Sequence, residues 1–291
     1  MVGIVLMSVF LGGATALQGK VALVTGSNKG IGKEIARKLL CMPSTTVILG
    51  CRDEPLGQNA VKELQRQAGR NSVVFQHLDL TDMASIESTR DVIAREYGQL
   101  DILVNNAAIC FNDPTLYGKV PHTPFRDQAN ITLQTNFFGS LAVTRAMLPL
   151  LRSAPSPRII NVASAAGRLR GSKEKVEEIS SSSLKVERLE ELMSDFVRDA
   201  EAGLHVERGW PNTCYGVSKM GLIALTRVLA RNEPSIMINS VDPGFCATDQ
   251  NANQGHVIAE RGATTPALLA GLPPEQFVTG RYFFEEREIS W

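Results

Sequence analysis

Two side chains suited to proton transfer stand four positions apart in this sequence. Tyr215 and Lys219 share one face of a helix if the segment is helical. An unperturbed tyrosine has a pKa of about 10, and a neighbouring ammonium favours its ionised form. A phenol beside a cation is therefore a usable proton donor for a reaction in which negative charge grows on an oxygen atom.

Two more polar residues could complete such a site, and each also has a structural interpretation. Ser164 ends a β-branched, strand-like segment, where its hydroxyl could stabilise oxyanion charge or simply cap a turn. Asn136 lies in an apolar stretch, where an amide must be hydrogen-bonded, so it could be a satisfied core residue. Because Y-x-x-x-K alone is common on exposed helices, these residues indicate catalysis only if a cofactor site lies beside them.

A glycine-rich turn provides such a cofactor site. Residues 25–32 read Thr-Gly-Ser-Asn-Lys-Gly-Ile-Gly between an apolar strand and a helix. Glycines permit positive φ angles and leave backbone N–H groups open to a pyrophosphate at the helix N-terminus. The predicted cofactor contacts in this turn are Gly26, Asn28, Lys29, Gly30, Ile31 and Gly32; the alternative is a turn without a ligand.

Strands and helices alternate around these residues. Strands are predicted over 20–25, 46–51, 73–77, 101–105, 158–162 and 237–241, and helices over 31–40, 57–67, 85–97, 133–151 and 217–231. This alternation predicts an α/β fold, a single Rossmann-type doubly wound parallel sheet with helices on both faces. Ligands of such sheets bind beyond the carboxyl ends of the strands.

Residues 171–213 interrupt the alternation. This stretch is polar and charged, but the spacing of Leu184, Leu189, Leu192, Met193 and Phe196 predicts an amphipathic helix. We interpret it as a helical insertion before Tyr215, packed on the edge of a single domain that spans residues 19–291.

Residues 1–18 are predicted to be an apolar extension outside that domain. Positions 2–17 are uncharged and mostly apolar, yet they lack a basic region and are short for a membrane span. A signal or anchor and a packed or disordered extension both stay open. We expect a cytoplasmic protein, with secretory or organellar targeting by residues 1–17 as the alternative.

The composition indicates which classes of ligand to expect. The 30 basic and 30 acidic side chains balance, so nothing favours nucleic acid or an anionic membrane over a small molecule. The five cysteines and four histidines show no metal-ligand or disulfide-framework spacing, and no metal site is predicted.

The glycine spacing G-x-x-x-G-x-G, together with Tyr215 and Lys219, resembles the short-chain dehydrogenase/reductase family. Further matches are Asp79-Leu80, Asn105-Asn106-Ala107-Ala108, and Pro243-Gly244 followed by Thr248. Ala108 stands where the family usually has glycine.

The resemblance implies roles for these positions. Asp79, with Leu80, would hold the adenine, and Asn105 would support the cofactor pocket. Pro243, Gly244 and Thr248 would contact the nicotinamide carboxamide. The implied catalytic set is Asn136, Ser164, Tyr215 and Lys219, with Asn136 in a water relay behind Lys219, and with Tyr215 and Lys219 also contacting the cofactor.

The residue after the second strand selects between NADH and NADPH, because an acid favours a ribose hydroxyl and an arginine favours a 2′-phosphate. Arg52 occupies that position, and Lys29 adds a second positive charge. NADPH is therefore the predicted cofactor. Asp53 is the counterargument, since a carboxylate pointing into the pocket would favour NADH.

Ser164 and Tyr215 are 51 positions apart, and this separation restricts the resemblance to one subgroup of the family. The insertion, residues 209–211 and the segment from Thr279 to Trp291 are similar to the monomeric NADPH-dependent carbonyl reductases, which act on ketones, aldehydes and quinones. In that subgroup the insertion covers the surface used for association, so a monomer is expected. Plant reductases of menthone and alkaloid ketones share this layout.

The predicted reaction is thus NADPH-dependent carbonyl reduction with Tyr215 as proton donor. Ser164, Trp210 and Phe245 are the predicted substrate contacts, and Ala165 and Ala166 would leave room for bulky ketones. An alcohol dehydrogenase working oxidatively and a narrow-specificity ketone reductase of specialised metabolism are alternatives. A non-catalytic NADPH sensor would show damaged catalytic residues, and a nucleotide-sugar epimerase would have a different glycine turn.

Overall fold

An eight-stranded sheet runs through the part of the chain that the computed structural model describes, residues 19–69, 71–111 and 123–291. Its strands are β1 (Lys20–Thr25), β2 (Thr45–Cys51), β3 (Ser72–His77), β4 (Ile102–Asn105), β5 (Arg158–Val162), β6 (Met237–Asp242), β9 (Tyr282–Phe284) and β10 (Arg287–Glu288). Their order is β10-β9-β6-β5-β4-β1-β2-β3, and only the β9–β10 pair is antiparallel. A small parallel pair, β7 (Cys246–Ala247) and β8 (Val257–Ile258), lies outside this sheet.

Helices cover both faces of the sheet. They are α1 (Gly30–Leu39), α2 (Glu54–Gln65), α3 (Met83–Tyr97), α4 (Phe125–Leu133), α5 (Ser140–Arg152), α6 (Lys173–Ser180), α7 (Val186–Glu201), α8 (Cys214–Asn232), α9 (Ala259–Gly262) and α10 (Thr264–Gly271). Neighbouring residues of one strand, such as Leu23 and Val24, are fully buried in different core clusters. A strand buried on both sides lies between two helical layers. The predicted doubly wound α/β fold is confirmed.

Among the predicted helices, the differences lie mainly at the ends. α2 begins at Glu54 because the Asp53 carboxylate accepts a hydrogen bond from the Leu56 N–H at 2.9 Å and caps the helix. Asp82 caps α3 in the same way, through the Ala84 N–H at 3.0 Å. The helix predicted over 133–151 is the end of a longer run, in which a π-helical turn, Gln134–Gly139, joins α4 to α5.

The segment 171–213 contains α6 and α7. The apolar face of α7 buries Leu189, Leu192, Met193 and Phe196, and it packs against α4 and α8. These residues share one core cluster with the helices under the sheet. The segment therefore extends the main core, although its sequence interrupts the strand–helix alternation.

The C-terminal segment adds strands that the sequence did not predict. β9 pairs with β6 in parallel, and the chain turns back so that the Ile289 N–H donates to the Tyr282 carbonyl oxygen at 2.8 Å. Beyond β10, the Trp291 indole N–H donates to the Gly167 carbonyl oxygen, also at 2.8 Å. This segment therefore reaches back to the carboxyl end of β5.

The predicted apolar extension, residues 1–18, lies outside the described residues. Across residues 19–69, 71–111 and 123–291, no helix combines the length and the apolar character needed to cross a bilayer.

Candidate active site

A cleft of about 680 Å³ opens at the carboxyl ends of β1 and β4, where the strand order reverses. This volume is in the range of small-molecule and cofactor sites, and the position is where open α/β sheets bind ligands. The predicted site residues that line it are Gly26, Asn28, Lys29, Gly30, Ile31, Gly32, Arg52, Asp79, Leu80, Tyr215, Lys219, Pro243 and Thr248. The fold thus gathers residues that follow β1, β2, β3 and β6, together with two from α8, into one cleft.

The glycine turn is closely fitted to its surroundings. Gly26 and Gly30 have φ angles of 64° and 56°, which disfavour any residue with a side chain. A Cβ atom on Gly32 would lie 2.5 Å from the Gly26 carbonyl oxygen. The turn therefore keeps a bare backbone at the start of α1, where N–H groups are available to an anion.

Asn106 fixes this turn, a role that the sequence analysis did not assign. Its side-chain amide donates to the carbonyl oxygens of Thr25 and Gly26, at 2.9 and 3.2 Å. The Thr25 hydroxyl in turn accepts hydrogen bonds from the N–H groups of Asn106 and Ala107. The signal was present in the Asn-Asn-Ala-Ala motif, but residue types alone did not show which asparagine faces the turn.

Asn105 has a different role. Its amide is buried and donates to Asn161 Oδ1 at 2.8 Å and to Thr144 Oγ1 at 2.9 Å. These bonds tie β4 to β5 and α5 beneath the cleft. Asn105 therefore supports the cleft from below, whereas Asn106 lines it.

Arg52 and Asp79 lie together where β2 and β3 end. Burial alone would raise the pKa of Asp79, but hydrogen bonds from the Thr81 N–H and hydroxyl, with the positive charge of Arg52, lower it below its usual value. Asp53 also lines the cleft, but one of its oxygens caps α2. Arg52 thus provides a positive charge at this end of the cleft, whereas the carboxylate of Asp53 is partly occupied in capping α2.

Lys29 forms an ion pair across the cleft. Its ammonium lies 2.9 Å from Asp249, which follows Thr248 on the opposite rim, and both side chains are exposed. Exposed pairs of this kind contribute little to stability, so the pair leaves Lys29 available to a phosphate.

Tyr215 and Lys219 lie on the first turns of α8, which begins at Cys214 because Thr213 accepts a hydrogen bond from the Gly216 N–H at 3.0 Å. The ammonium of Lys219 lies 5.6 Å from the centre of the Tyr215 ring and donates to the Val162 carbonyl oxygen at 2.7 Å. Lys219 is only 2% exposed, and this burial lowers its pKa to about 8. At neutral pH it is still mostly protonated, so the positive charge beside the phenol is present.

This depressed pKa makes a prediction about stability. In the unfolded chain Lys219 titrates near 10.5, so between about 8 and 10.5 the unfolded state binds more protons than the folded state. Relative to that of a Lys219→Met variant, the free energy of unfolding is therefore expected to rise with pH across that window, by an amount on the order of 3 kcal/mol. The comparison with the variant is needed because burial also raises the pKa values of the Cys51, Cys214 and Cys246 thiols, which act in the opposite direction in both proteins. Urea unfolding of the two cofactor-free proteins measures the difference, and parallel pH profiles would contradict the prediction.

The turn after Ser164 packs directly on α8. Ser164 Oγ accepts a hydrogen bond from the Ala166 N–H at 3.2 Å, and a short 3₁₀ turn, Ala165–Gly167, follows. A Cβ atom on Gly167 would lie 2.7 Å from the Lys219 backbone. The lack of a side chain at Gly167 lets the serine turn approach the helix that carries Tyr215.

Asn136 lies in the π-helical turn and is fully buried. Its side chain accepts from the Ile109 N–H at 2.8 Å and donates to the Ile109 carbonyl oxygen at 2.9 Å and to Ser218 Oγ at 3.0 Å. These bonds fit the alternative of a satisfied core asparagine and join the cleft wall to α8. The relay role stays a prediction.

Two predicted substrate contacts have different surroundings. Phe245 is 43% exposed beside His256, close to the segment that follows β6. Trp210 is only 3% exposed; its indole N–H donates to Asp199 at 3.0 Å, and its ring packs against Phe196. The prediction of Trp210 as a substrate contact is therefore corrected, because the fold turns its side chain into the core under α7.

Two cysteines also line the cleft, Cys51 at the end of β2 and Cys110 after the β4 motif. Burial raises the pKa of the Cys110 thiol, although the nearby Lys219 ammonium acts in the opposite direction. The side chain is half-buried and lies on the same cleft wall as Ile109, the partner of Asn136.

Comparisons with known proteins agree with this geometry. The family model described as short chain dehydrogenase matches residues 20–176, more than half of the chain. The chain belongs to the short-chain dehydrogenase/reductase family. This match covers the glycine turn and Ser164. Tyr215 and Lys219 lie beyond it, on α8.

Two curated members of the family are similar to this chain over nearly its whole length. The chain is 41% identical to carbonyl reductase (NADPH) 1 of Mus musculus over 92% of this chain and 97% of that protein. The corresponding protein of Homo sapiens is 40% identical over 93% and 98%.

Solved structures of the family superpose well. Salutaridine reductase from Papaver somniferum has a TM-score of 0.82 at 32% identity, covering 91% of this chain and 99% of that one. Menthone neomenthol reductase from Mentha piperita has a TM-score of 0.79 at 34% identity, covering 92% and 99%.

Proposed function

We propose that the protein uses NADPH to reduce ketones, aldehydes and quinones to alcohols. The observation that carries the proposal is the Lys219 ammonium beside the Tyr215 ring, at the end of a cleft that starts at the glycine turn. The relatives named as NADPH carbonyl reductases, at about 40% identity over nearly the whole chain, support the same reaction.

The cleft residues fit a dinucleotide phosphate. The bare turn at Gly26 and Gly30 offers backbone N–H groups to the pyrophosphate, and Arg52 with Lys29 offers cations to a 2′-phosphate. Asp79 and Leu80 would hold the adenine, and Pro243, Gly244 and Thr248 would hold the carboxamide end. When bound, NADPH supplies the hydride that reduces the carbonyl carbon.

The chain's own residues supply the proton and the oxyanion site. The Ser164 hydroxyl would donate a hydrogen bond to the carbonyl oxygen, and Tyr215 would transfer its phenolic proton to that oxygen as charge develops. The Lys219 ammonium donates one hydrogen bond to the Val162 carbonyl oxygen and lies beside the Tyr215 ring. Its positive charge would stabilise the phenolate that remains after proton transfer.

The substrate would enter beside Phe245, the aromatic side chain at the exposed end of the site. The small side chains of Ala165 and Ala166 leave space next to Ser164 for ring ketones. A narrow-specificity ketone reductase is the second candidate, because the plant salutaridine and menthone reductases share 32 and 34% identity over nearly this whole chain.

The test is the loss of NADPH absorbance with a panel of quinones, aromatic aldehydes and ring ketones, with NADH in parallel. Turnover of several substrate classes with NADPH is expected. Turnover of a single ring ketone would favour the second candidate. No turnover with either cofactor, despite tight NADPH binding, would reject the reductase function and favour a sensor.

The protein is also proposed to be a cytoplasmic monomer. α7 of the insertion covers α4 and α8, the helical surface that would otherwise be available for association. Sedimentation equilibrium should give the mass of one chain, and a dimer mass would reject the monomer. Fractionation of cells expressing the full chain tests the compartment, and recovery in a membrane or secreted fraction would reject it.

A further inference from the structure

The turn that carries Ser164 contacts α8 on one side, and two residues outside the catalytic set hold its other side. One is Asp242, at the end of β6, and the other is Trp291, beyond β10. Both act on the backbone of the three residues that directly follow Ser164.

The buried carboxylate of Asp242 connects two segments of the site. It accepts hydrogen bonds from the N–H groups of Gly244, at 3.0 Å, and of Ala165. Ala165 is the neighbour of Ser164, and Gly244 belongs to the segment proposed to contact the nicotinamide. Because Asp242 is only 6% exposed, its carboxylate depends on these two hydrogen bonds in place of water.

Trp291 holds the far end of the turn. Its indole N–H donates to the Gly167 carbonyl oxygen, and its ring packs against the small cluster of Ala163, Ile223 and Tyr282. The guanidinium of Arg227, on α8, lies 5.5 Å from the ring centre. The indole is thus fixed to α8 as well as to the turn.

The remaining freedom of the turn is limited by α8 itself, since Gly167 lies against the Lys219 backbone. A shift of the turn would change the position of the Ser164 hydroxyl relative to the phenol of Tyr215. Small displacements of this kind reduce catalysis, because the reacting groups must be held in a defined geometry.

We propose that Asp242 and Trp291 are positioning residues that fix Ser164 for its hydrogen bond to the substrate oxygen. The inference rests on the proposed function for the role of Ser164. The competing interpretation is that both residues only stabilise this edge of the sheet.

Two conservative variants separate these interpretations. Asp242→Asn replaces one of the two carboxylate oxygens with an NH₂ group, which cannot accept, and Trp291→Phe keeps an aromatic ring without the donor. Each is expected to lower kcat about tenfold, the effect of one lost buried hydrogen bond. The KM for NADPH should change by less than about twofold.

A double-mutant cycle with Ser164→Ala supplies the decisive comparison. If Asp242 and Trp291 act through Ser164, adding either variant to Ser164→Ala should lower kcat by no more than about a further twofold. A full tenfold further loss would overturn the proposal. Asp101→Asn is the matched control: Asp101 is a buried carboxylate that accepts from the Val21 N–H at 2.9 Å, before the amino end of β4, so kcat should be unchanged.

Hydrogen exchange of the full-length protein tests the same contacts without catalysis. Amides in the peptide that spans 163–168 should exchange faster in both variants than in wild type and in Asp101→Asn. Unchanged exchange would overturn the inference. If wild type shows no carbonyl reduction but both variants still exchange faster than wild type, the contacts are supported and the proposed function is what fails.

Discussion

Tyr215→Phe is expected to abolish carbonyl reduction while NADPH still binds. The substitution removes the phenolic proton but keeps the ring on the first turn of α8, where Thr213 caps the helix. Loss of a positioned general acid costs between about 100-fold and 10,000-fold in rate, so we expect kcat to fall by about 1,000-fold or more. Single-turnover measurements with NADPH and a quinone would follow the reduction directly.

The matched control for this prediction is Tyr97→Phe. Tyr97 ends α3, which leads into the amino end of β4, so the residue lies at the end of the sheet opposite the cleft. Removal of its hydroxyl should leave kcat unchanged. NADPH binding, followed by fluorescence, should be similar in all three proteins. Residual turnover of Tyr215→Phe near the wild-type level would assign the proton to another donor.

Arg52→Gln is expected to remove the preference for NADPH. The side chain lines the cleft beyond β2, near Asp79, and offers a planar pair of donors to a 2′-phosphate. A hydrogen bond to a charged group contributes about 1.5–3 kcal/mol, so the KM for NADPH should rise between about 10-fold and 150-fold. NADH lacks that phosphate, and its KM should change little.

Arg95→Gln controls for the loss of one surface charge, because Arg95 is an exposed arginine on α3 that pairs with Glu96. It should leave both KM values unchanged. If Arg52→Gln raised the KM of both cofactors equally, Arg52 would contact a part that they share. If it changed neither, Lys29 would be the main cation for the 2′-phosphate.

The residues with short-range signals were predictable from the sequence. The glycine turn, the strands β1 to β6 and the Tyr215–Lys219 pair each follow from a local pattern, and the structure places them around one cleft. Local patterns also gave the amphipathic spacing of α7. In each of these cases the residue types that fix the element lie within a few turns or strand positions of one another.

Other features depend on contacts between distant parts of the chain. β9 and β10 contain three and two residues, too few for a periodic signal, and β9 forms only by pairing with β6. Trp210 was expected near the substrate because it precedes Tyr215 closely in the sequence, yet the turn before α8 directs it toward Asp199. That one oxygen of Asp53 caps α2, while the residue also lines the cleft, was likewise decided by the fold.

The thiol of Cys110 has a consequence for the proposed reduction of quinones. Quinones alkylate thiolates, and this thiol lines the cleft that they would enter. Burial raises its pKa, so less of the group is thiolate at a given pH than for an exposed cysteine. A quinone that entered the cleft as a substrate would therefore alkylate Cys110 more slowly than an exposed cysteine, and faster in alkaline solution as the thiol ionises.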